Sequence, residues 1–311
     1  MADISFIIPH KGREQYLLQT IRSVAAQEYD RSEIEVIVVT QNEQLSDELL
    51  ALQEQVSLSV YKRSSSDTIS ALRNYGVTHA SGRYLAFLDA DVELSQNWIS
   101  SMLDVLGQSN RRVIASAVQI NGTDAPPLER IRTSLSNAVT DQSVQFLPGR
   151  NLFLRRETFD SIGGFPEHLV TCEDYYFTEM ASRIGELYYT STATYVHLGE
   201  DKAYADMFRK EIWRGQSNLS SIKGRRIPLS EIPSFIVPIG LLLLLIMIII
   251  FMLTGYPVIA AICAILFILP VSAYSIRLYR LCKDDVNFSN VLKFYLYYFP
   301  ARAIGTIVGA F

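Results

Sequence analysis

Cysteine is scarce: Cys172, Cys263 and Cys282 are the three in 311 residues. They are too few and too scattered for a disulfide framework or a thiolate zinc cluster. An excess of basic charge is missing as well. The net charge is −4, and residues 1–222, with 20 Lys and Arg against 29 Asp and Glu, reach −9. A general nucleic-acid binder needs a basic face, so no nucleic-acid partner is expected. Internal repeats and low-complexity tracts are absent. The first ten residues lack a charged start followed by a long apolar run, so no signal peptide is expected. Aromatic residues, by contrast, are plentiful, with 15 Phe, 17 Tyr and 2 Trp, and this excludes a disordered chain.

The longest absence is one of charge. Between Glu231 and Arg277 there is no charged residue for 45 positions. Thr254-Gly255-Tyr256-Pro257 divides this run into halves of about 20 residues, each able to cross a hydrocarbon core roughly 30 Å thick. A short connection makes the two helices antiparallel neighbours. Lys223, Arg225 and Arg226 precede the pair, and Arg277, Arg280 and Lys283 follow it. By the positive-inside rule both ends face the cytoplasm. The expectation is a multi-pass protein of a plasma membrane, of bacterial inner-membrane type, with its large domain cytoplasmic and membrane lipids as partners.

Two flanks stay open. In 203–222, Phe208, Ile212, Leu219 and Ile222 recur at helical spacing beside Arg209, Lys210 and Arg214. That pattern suits either a helix in the membrane interface or an ordinary helix packed on the domain. Residues 288–311 are apolar and aromatic but interrupted by Lys293, Pro300 and Arg302. A third span, a re-entrant segment and an interfacial helix are all compatible with this.

The acidic part alternates strand and helix patterns. Strands are expected at Ile4–Ile8, Ile34–Val39, Leu58–Tyr61, Tyr84–Leu88 and Val113–Gln119. Helices are expected at Glu14–Gln27, Thr68–Ala80 and Gln96–Leu106. The β-branched run Ile34–Val39 suits a strand buried on both faces. Such alternation implies an open α/β sheet whose ligand lies beyond the carboxyl ends of the strands. The fourth strand runs out as Leu88-Asp89-Ala90-Asp91. Two carboxylates one residue apart at a strand end can hold a hard divalent cation that bridges to phosphates, or can simply form a turn.

In order along residues 3–200, several motifs resemble the inverting, GT-A-type glycosyltransferases of family 2. Ile7-Ile8-Pro9 and the helix ending Ser23-Val24-Ala25-Ala26-Gln27 resemble the family's opening strand and helix. Ala71-Leu72-Arg73-Asn74-Tyr75-Gly76 is similar to its Arg-Asn-x-Gly helix, and Leu88-Asp89-Ala90-Asp91 to its Asp-x-Asp motif. Gly149-Arg150-Asn151, Arg155-Arg156, Ile162-Gly163-Gly164-Phe165 and Cys172-Glu173-Asp174 are similar to its acceptor half.

The resemblance implies a GT-A, Rossmann-like catalytic domain over 1–202. An interfacial helix and basic linker over 203–231 would follow it, then a transmembrane hairpin over 232–276 and a basic, apolar segment over 277–311. It implies a divalent cation, Mn2+ or Mg2+, held by Asp91 with Asp89 helping and His197 as a further metal or diphosphate ligand. A merely structural histidine is the alternative for His197. Donor contacts are implied at Pro9, Arg13, Gln41, Arg73 and Asp89, with a solvated helix position the other reading of Arg73. Asp174 would be the catalytic base, and Asn151, Gly164 and Glu173 acceptor contacts. A Glu-Asp pair also suits any helix N-terminus. The implied donor is a nucleotide-sugar, a UDP-sugar first, and the implied acceptor a hydroxyl on a lipid-linked or surface glycan.

One departure concerns the base. Where many members carry an Asp-Asp-Gly-Ser-like turn, this chain reads Val39-Thr40-Gln41-Asn42, in which Gln41 or Asn42 can hydrogen-bond a base. The opening turn, His10-Lys11-Gly12-Arg13, adds positive charge near the nucleotide site. A polyprenyl-phosphate sugar synthase is the alternative enzyme, but an anionic phosphate acceptor needs no carboxylate base. A processive synthase would resemble a chain with Gln-x-x-Arg-Trp, which is absent. An inactive nucleotide-sugar-binding membrane scaffold is the non-enzymatic alternative.

Overall fold

Seven consecutive buried residues, Ile4–His10, form strand β1 of the computed structural model, which describes residues 2–221 and 232–310. After it come helix α1 (Glu14–Ala25), β2 (Ile34–Thr40), α2 (Asp47–Ala51), β3 (Ser57–Lys62), α3 (Ile69–His79) and β4 (Tyr84–Leu88). The chain continues through β5 (Val92–Leu94), α4 (Trp98–Gly107), β6 (Arg112–Ile120), α5 (Pro127–Ser136), β7 (Gln142–Val144) and β8 (Asn151–Arg155). Next are α6 (Arg156–Ile162), α7 (Glu173–Ser182) and β9 (Glu186–His197). The remaining helices are α8 (Tyr204–Gly215), α9 (Asn218–Ser221), α10 (Ile232–Leu253), α11 (Pro257–Cys282) and α12 (Phe288–Val308). Two units result: Met1–Gly122 with Val139–Gly199, and Thr123–Ala138 with Glu200–Phe311.

The first unit is built on one mixed sheet in the order β3-β2-β1-β4-β8-β6-β9-β5, with β7 paired to β9. β1 lies parallel between β2 and β4, so that Ile7 faces Ile37 on one side and Phe87 on the other. The chain builds outward to β2 and β3, then returns to place β4 on the opposite flank of β1. That reversal opens a crevice at the carboxyl ends of β1, β2 and β4. Side chains alternate across the sheet. Phe6 and Ile8 join Leu17, Ile21, Met102 and Leu106 in one core, while Ile7 and Phe87 join Phe159, Phe165 and Phe177 in the other. Both faces being covered, the strands read as continuous apolar runs. Thr68, expected inside a helix, instead caps α3, its Oγ1 accepting from the Ala71 amide at 3.2 Å.

The second unit is helical. Leu128 and Ile131 of α5 share a core with Met207 of α8, Leu241 of α10, Leu278 of α11 and Phe294 of α12. α10 and α11, with 22 and 26 residues, are long and apolar enough to cross a membrane, and Leu253, Val258, Ile265 and Leu269 point outward from them. The segment left open in sequence is one continuous helix, α12, with Val291, Phe294, Phe299 and Ala303 buried in this unit. On α8 the buried line is Met207, Glu211 and Gly215 rather than Phe208 and Ile212. Ile222 and the basic trio Lys223, Arg225 and Arg226 lie outside the described residues.

Candidate active site

The crevice is framed by the turns that follow β1, β2 and β4. Gly12 takes φ +80°, a left-handed turn that a β-carbon would strain. Asn42 clasps it: the Gly12 amide donates to Asn42 Oδ1 at 2.8 Å, and Asn42 Nδ2 donates to the Gly12 carbonyl at 2.9 Å. This turn aims Arg13 at Asp91, with Nη2 to Oδ2 at 3.0 Å. Gln41 donates from Nε2 to the carbonyls of Ser64 and Asp67 at 2.6 and 2.9 Å. Pro9 is buried within β1 opposite Val39.

The two aspartates after β4 take different partners. Asp91 faces His197, Nε2 to Oδ1 at 3.3 Å, because β5 pairs antiparallel with the end of β9 and sets Val92 opposite His197. The Leu198 amide donates to the Asp91 carbonyl at 2.8 Å. Gly199 follows so closely that a β-carbon there would press on the Asp91 carboxylate and the Arg13 guanidinium, so a larger residue would have to push these two side chains aside. Burial pushes the Asp91 carboxyl up, but the hydrogen bond and charge of His197, then Arg13 and Arg150, outweigh it and hold it below the usual carboxylate range. Among the described residues no group of three or more His, Cys, Asp or Glu side chains converges as a ready-made metal cage.

Asp89 turns instead to Arg73. This arginine of α3 is 1% exposed and bridges three elements. Its Nη2 donates to Asp89 Oδ1 at 2.8 Å and to the Gly149 carbonyl at 3.2 Å, and its Nη1 donates to Glu173 Oε1 at 2.9 Å. Burial would lower the Arg73 pKa, but Asp89, Glu173 and Asp174 raise it. Glu173 moves the other way for an acid, pushed up to about 7 by burial and then by the Asp174 charge, against Arg73. The two shifts are compatible, because one guanidinium serves three carboxylates and the more buried Glu173 is left short of positive charge.

Asp174 begins α7 beside Glu173. Its Oδ2 accepts the Gly149 amide at 3.0 Å and its Oδ1 accepts the Tyr175 amide at 2.7 Å. Cys172, with φ +63°, makes the turn into the helix. The structure thus joins Asp89, Arg73, Glu173 and Asp174 in one network, and Arg13, Asp91 and His197 in another. Four predicted positions lie apart from both: Pro9, Gln41, Asn151 and Gly164. Asn151 is fully buried, its Oδ1 accepting from Trp98 Nε1 at 3.2 Å and the Ala117 amide at 2.8 Å. Gly164 lies in a turn clasped by Asn74, whose Oδ1 accepts the Phe165 amide and whose Nδ2 donates to the Phe165 carbonyl, both at 2.9 Å.

Sequence reasoning missed Asn42's clasp on Gly12, the charge of Arg150 on Asp91, and Gly199. The last had a local signal, a glycine two residues after His197.

The chain is 24% identical over 237 residues to glycosyltransferase AglE of Haloferax volcanii, covering 74% of this chain and 77% of that protein. In fold it is similar to the mannosyltransferase PcManGT of Pyrobaculum calidifontis, solved with GDP-Man and Mn2+. That likeness has a TM-score of 0.65 at 15% identity and covers 98% of this chain and 87% of that one. It is similar as well to residues 1–349 of TarS of S. aureus, solved with UDP-GlcNAc, with a TM-score of 0.52 at 16% identity over 75% of this chain and 70% of that one. The family model described as glycosyl transferase family 2 matches residues 5–163, just over half of the 311. The chain therefore belongs to glycosyl transferase family 2, carried on a GT-A-type sheet with two long apolar helices at its C-terminal end.

Proposed function

We propose that the protein is a membrane-anchored inverting glycosyltransferase. It would move a sugar from a nucleotide-sugar in the cytoplasm to a hydroxyl of a lipid-linked or surface-glycan acceptor. The carrying observation is the Arg73 bridge, which ties Asp89, at the diphosphate end of β4, to the Glu173–Asp174 turn. A base and a leaving-group site belong together in a single displacement, and this bridge fixes both to one scaffold. The solved relatives' GDP-Man and UDP-GlcNAc support a nucleotide-sugar donor.

The donor set around Asp91 suits a divalent cation. Asp91 and His197 offer one carboxylate oxygen and one imidazole nitrogen 3.3 Å apart, and Mg2+-like ions take one or two protein groups together with substrate phosphates and water. When bound, the cation would neutralise charge building on the departing diphosphate. Asp174, oriented by two amides, accepts the proton of the attacking hydroxyl. Glu173 and Arg73 hold that turn from beneath, and Asn151 secures β8 against β6. Gln41, with Nε2 held by two carbonyls, can meet a base only through Oε1, an acceptor suited to the N–H groups of uracil or guanine.

The test is a donor panel: full-length protein in detergent, several UDP- and GDP-sugars, with and without Mn2+. Release of a nucleoside diphosphate that requires the metal is expected, and a product of inverted anomeric configuration. No release from any donor would return the protein to a binding scaffold. Resistance to alkaline extraction of membranes would support the anchor, and release by that treatment would remove it.

A further inference from the structure

We propose that Arg13 is a placeholder cation. It holds Asp91 while the site is without metal and donor, and passes to the donor's diphosphate when they arrive. This rests on the reading of Asp91 as the metal-holding carboxylate.

Three observations carry it. The Arg13 side chain is 54% exposed along its length, yet its tip reaches an Asp91 side chain that is only 15% exposed. The backbone beneath it is fixed by the pair of hydrogen bonds between Gly12 and Asn42 and by the Tyr16 amide donating to the Arg13 carbonyl at 3.1 Å. Exchange therefore needs a side-chain rotation and no loop movement; in its present position the guanidinium lies over the Tyr16 ring, 4.9 Å from its centroid. Asp91 keeps a second partner when Arg13 leaves: His197 stays at its other carboxylate oxygen, and the Leu198 amide holds its backbone carbonyl.

The electrostatics then dictate the exchange. A divalent cation and a guanidinium cannot both sit on Asp91 without strong like-charge repulsion. A displaced Arg13 needs a new anion, and a diphosphate offers paired oxygens that match its fork. The other arginines named at the site are less suited. Arg73 is buried between Asp89 and Glu173, and Arg150 bonds Gln119 at 2.6 Å. Arg13 should therefore oppose the cation when it comes alone and favour the cation when it comes with a diphosphate. Metal and donor thereby become mutually dependent.

The experiment uses full-length protein in detergent, parent against R13Q and R13K. Mn2+ binding is followed by electron paramagnetic resonance without nucleotide. UDP and, separately, GDP are then titrated calorimetrically at saturating Mn2+. R13Q should bind Mn2+ alone about 5-fold more tightly, the upper end for a partly exposed ion pair. It should bind whichever diphosphate the parent takes about 10-fold more weakly, as expected for one lost charge-assisted contact. R13K, which keeps the charge but not the fork, should fall between the two on both scales. The reversal of sign excludes an arginine that only supports the turn, and an intermediate R13K excludes a fixed charge acting through space, which lysine would match on both scales. Unchanged or weaker Mn2+ binding in R13Q overturns the proposal. So does a parent that binds no Mn2+, or neither diphosphate. Should the sign reversal appear without any sugar transfer, the placeholder stands and the transferase reading fails.

Discussion

At the scale of single residues, the site is organised by an imbalance of charge around Arg73. Because Glu173 has its carboxyl raised to about 7, the folded state holds that proton more tightly than the unfolded chain. The associated stability is complete below pH 4.5, the ordinary value, and is lost as the pH rises toward 7. Glu173→Gln should flatten the fall in melting temperature across that window, measured by differential scanning in detergent. An equally steep fall in the variant would mean that Glu173 is ionised in the folded protein. Asp174→Asn keeps size and hydrogen-bonding capacity but cannot accept a proton. Transfer should drop about 10²–10⁴-fold, with nucleotide affinity within a few-fold, read by product formation and calorimetry. Near-parental transfer would remove Asp174 from the base role and revive the phosphate-acceptor alternative. The residues of this network were legible as motifs, but their pairing was not. Arg73 meets Asp89 and Glu173 because β4 pairs antiparallel with β8, setting Leu88 opposite Asn151, and such a register leaves no local trace in sequence.

At the scale of elements, β1, β2, β4 and β6 match their expected spans to within two residues at each end, because strands buried on both faces leave unbroken apolar runs, whereas β8, in the middle of the same sheet, and β9 were not expected as strands. On helix α8 the apolar periodicity of Phe208 and Ile212 does not mark the buried line, for a physical reason. Periodicity treats a carboxylate as solvent-facing, yet Glu211 is buried, 3% exposed at its side chain, against Arg132 of α5 at 2.9 Å, Arg214 at 2.6 Å and Arg302 of α12 at 3.3 Å. Arg214 is three residues away, but Arg132 and Arg302 lie about 80 and 90 residues away, beyond any sequence window. Burial alone would raise the Glu211 carboxyl, but the three guanidinium groups bring it down to about 2. The stabilisation is therefore present above pH 4.5 and lost as the pH falls toward 2. Glu211→Gln removes the carboxylate that these three guanidinium groups share, leaving Arg132 with Glu200 at 3.4 Å and Arg214 with Asp201 at 3.6 Å, and should cost about 3 kcal/mol, the low end for a broken buried pair. A melt in detergent should show this as a lower midpoint at neutral pH and a flatter acid limb. A variant as stable as the parent would show that the arginines are served by other groups.

At the scale of the whole molecule, α5 interrupts the simple picture of a catalytic domain followed by an anchor. It is encoded between β6 and β7, yet Leu128 and Ile131 bury with Met207, Leu278, Cys282 and Phe294 of the C-terminal helices. The sheet's two cores draw only on residues up to Tyr195. A chain ending before Ile232 should therefore keep its sheet but uncover Leu128, Ile131 and Met207. Burying a large apolar side chain is worth about 1.5–3 kcal/mol, so the three exposed together form a surface that seeks apolar cover. Without detergent this fragment should elute as an aggregate on size exclusion, and mild detergent should return it to a monomer with unchanged near-ultraviolet dichroism. Replacing Leu128, Ile131 and Met207 together by Gln should give a monomer without detergent. If the unmodified fragment is already monodisperse in plain buffer, α5 and α8 have another partner, and the helical unit is no extension of the membrane anchor.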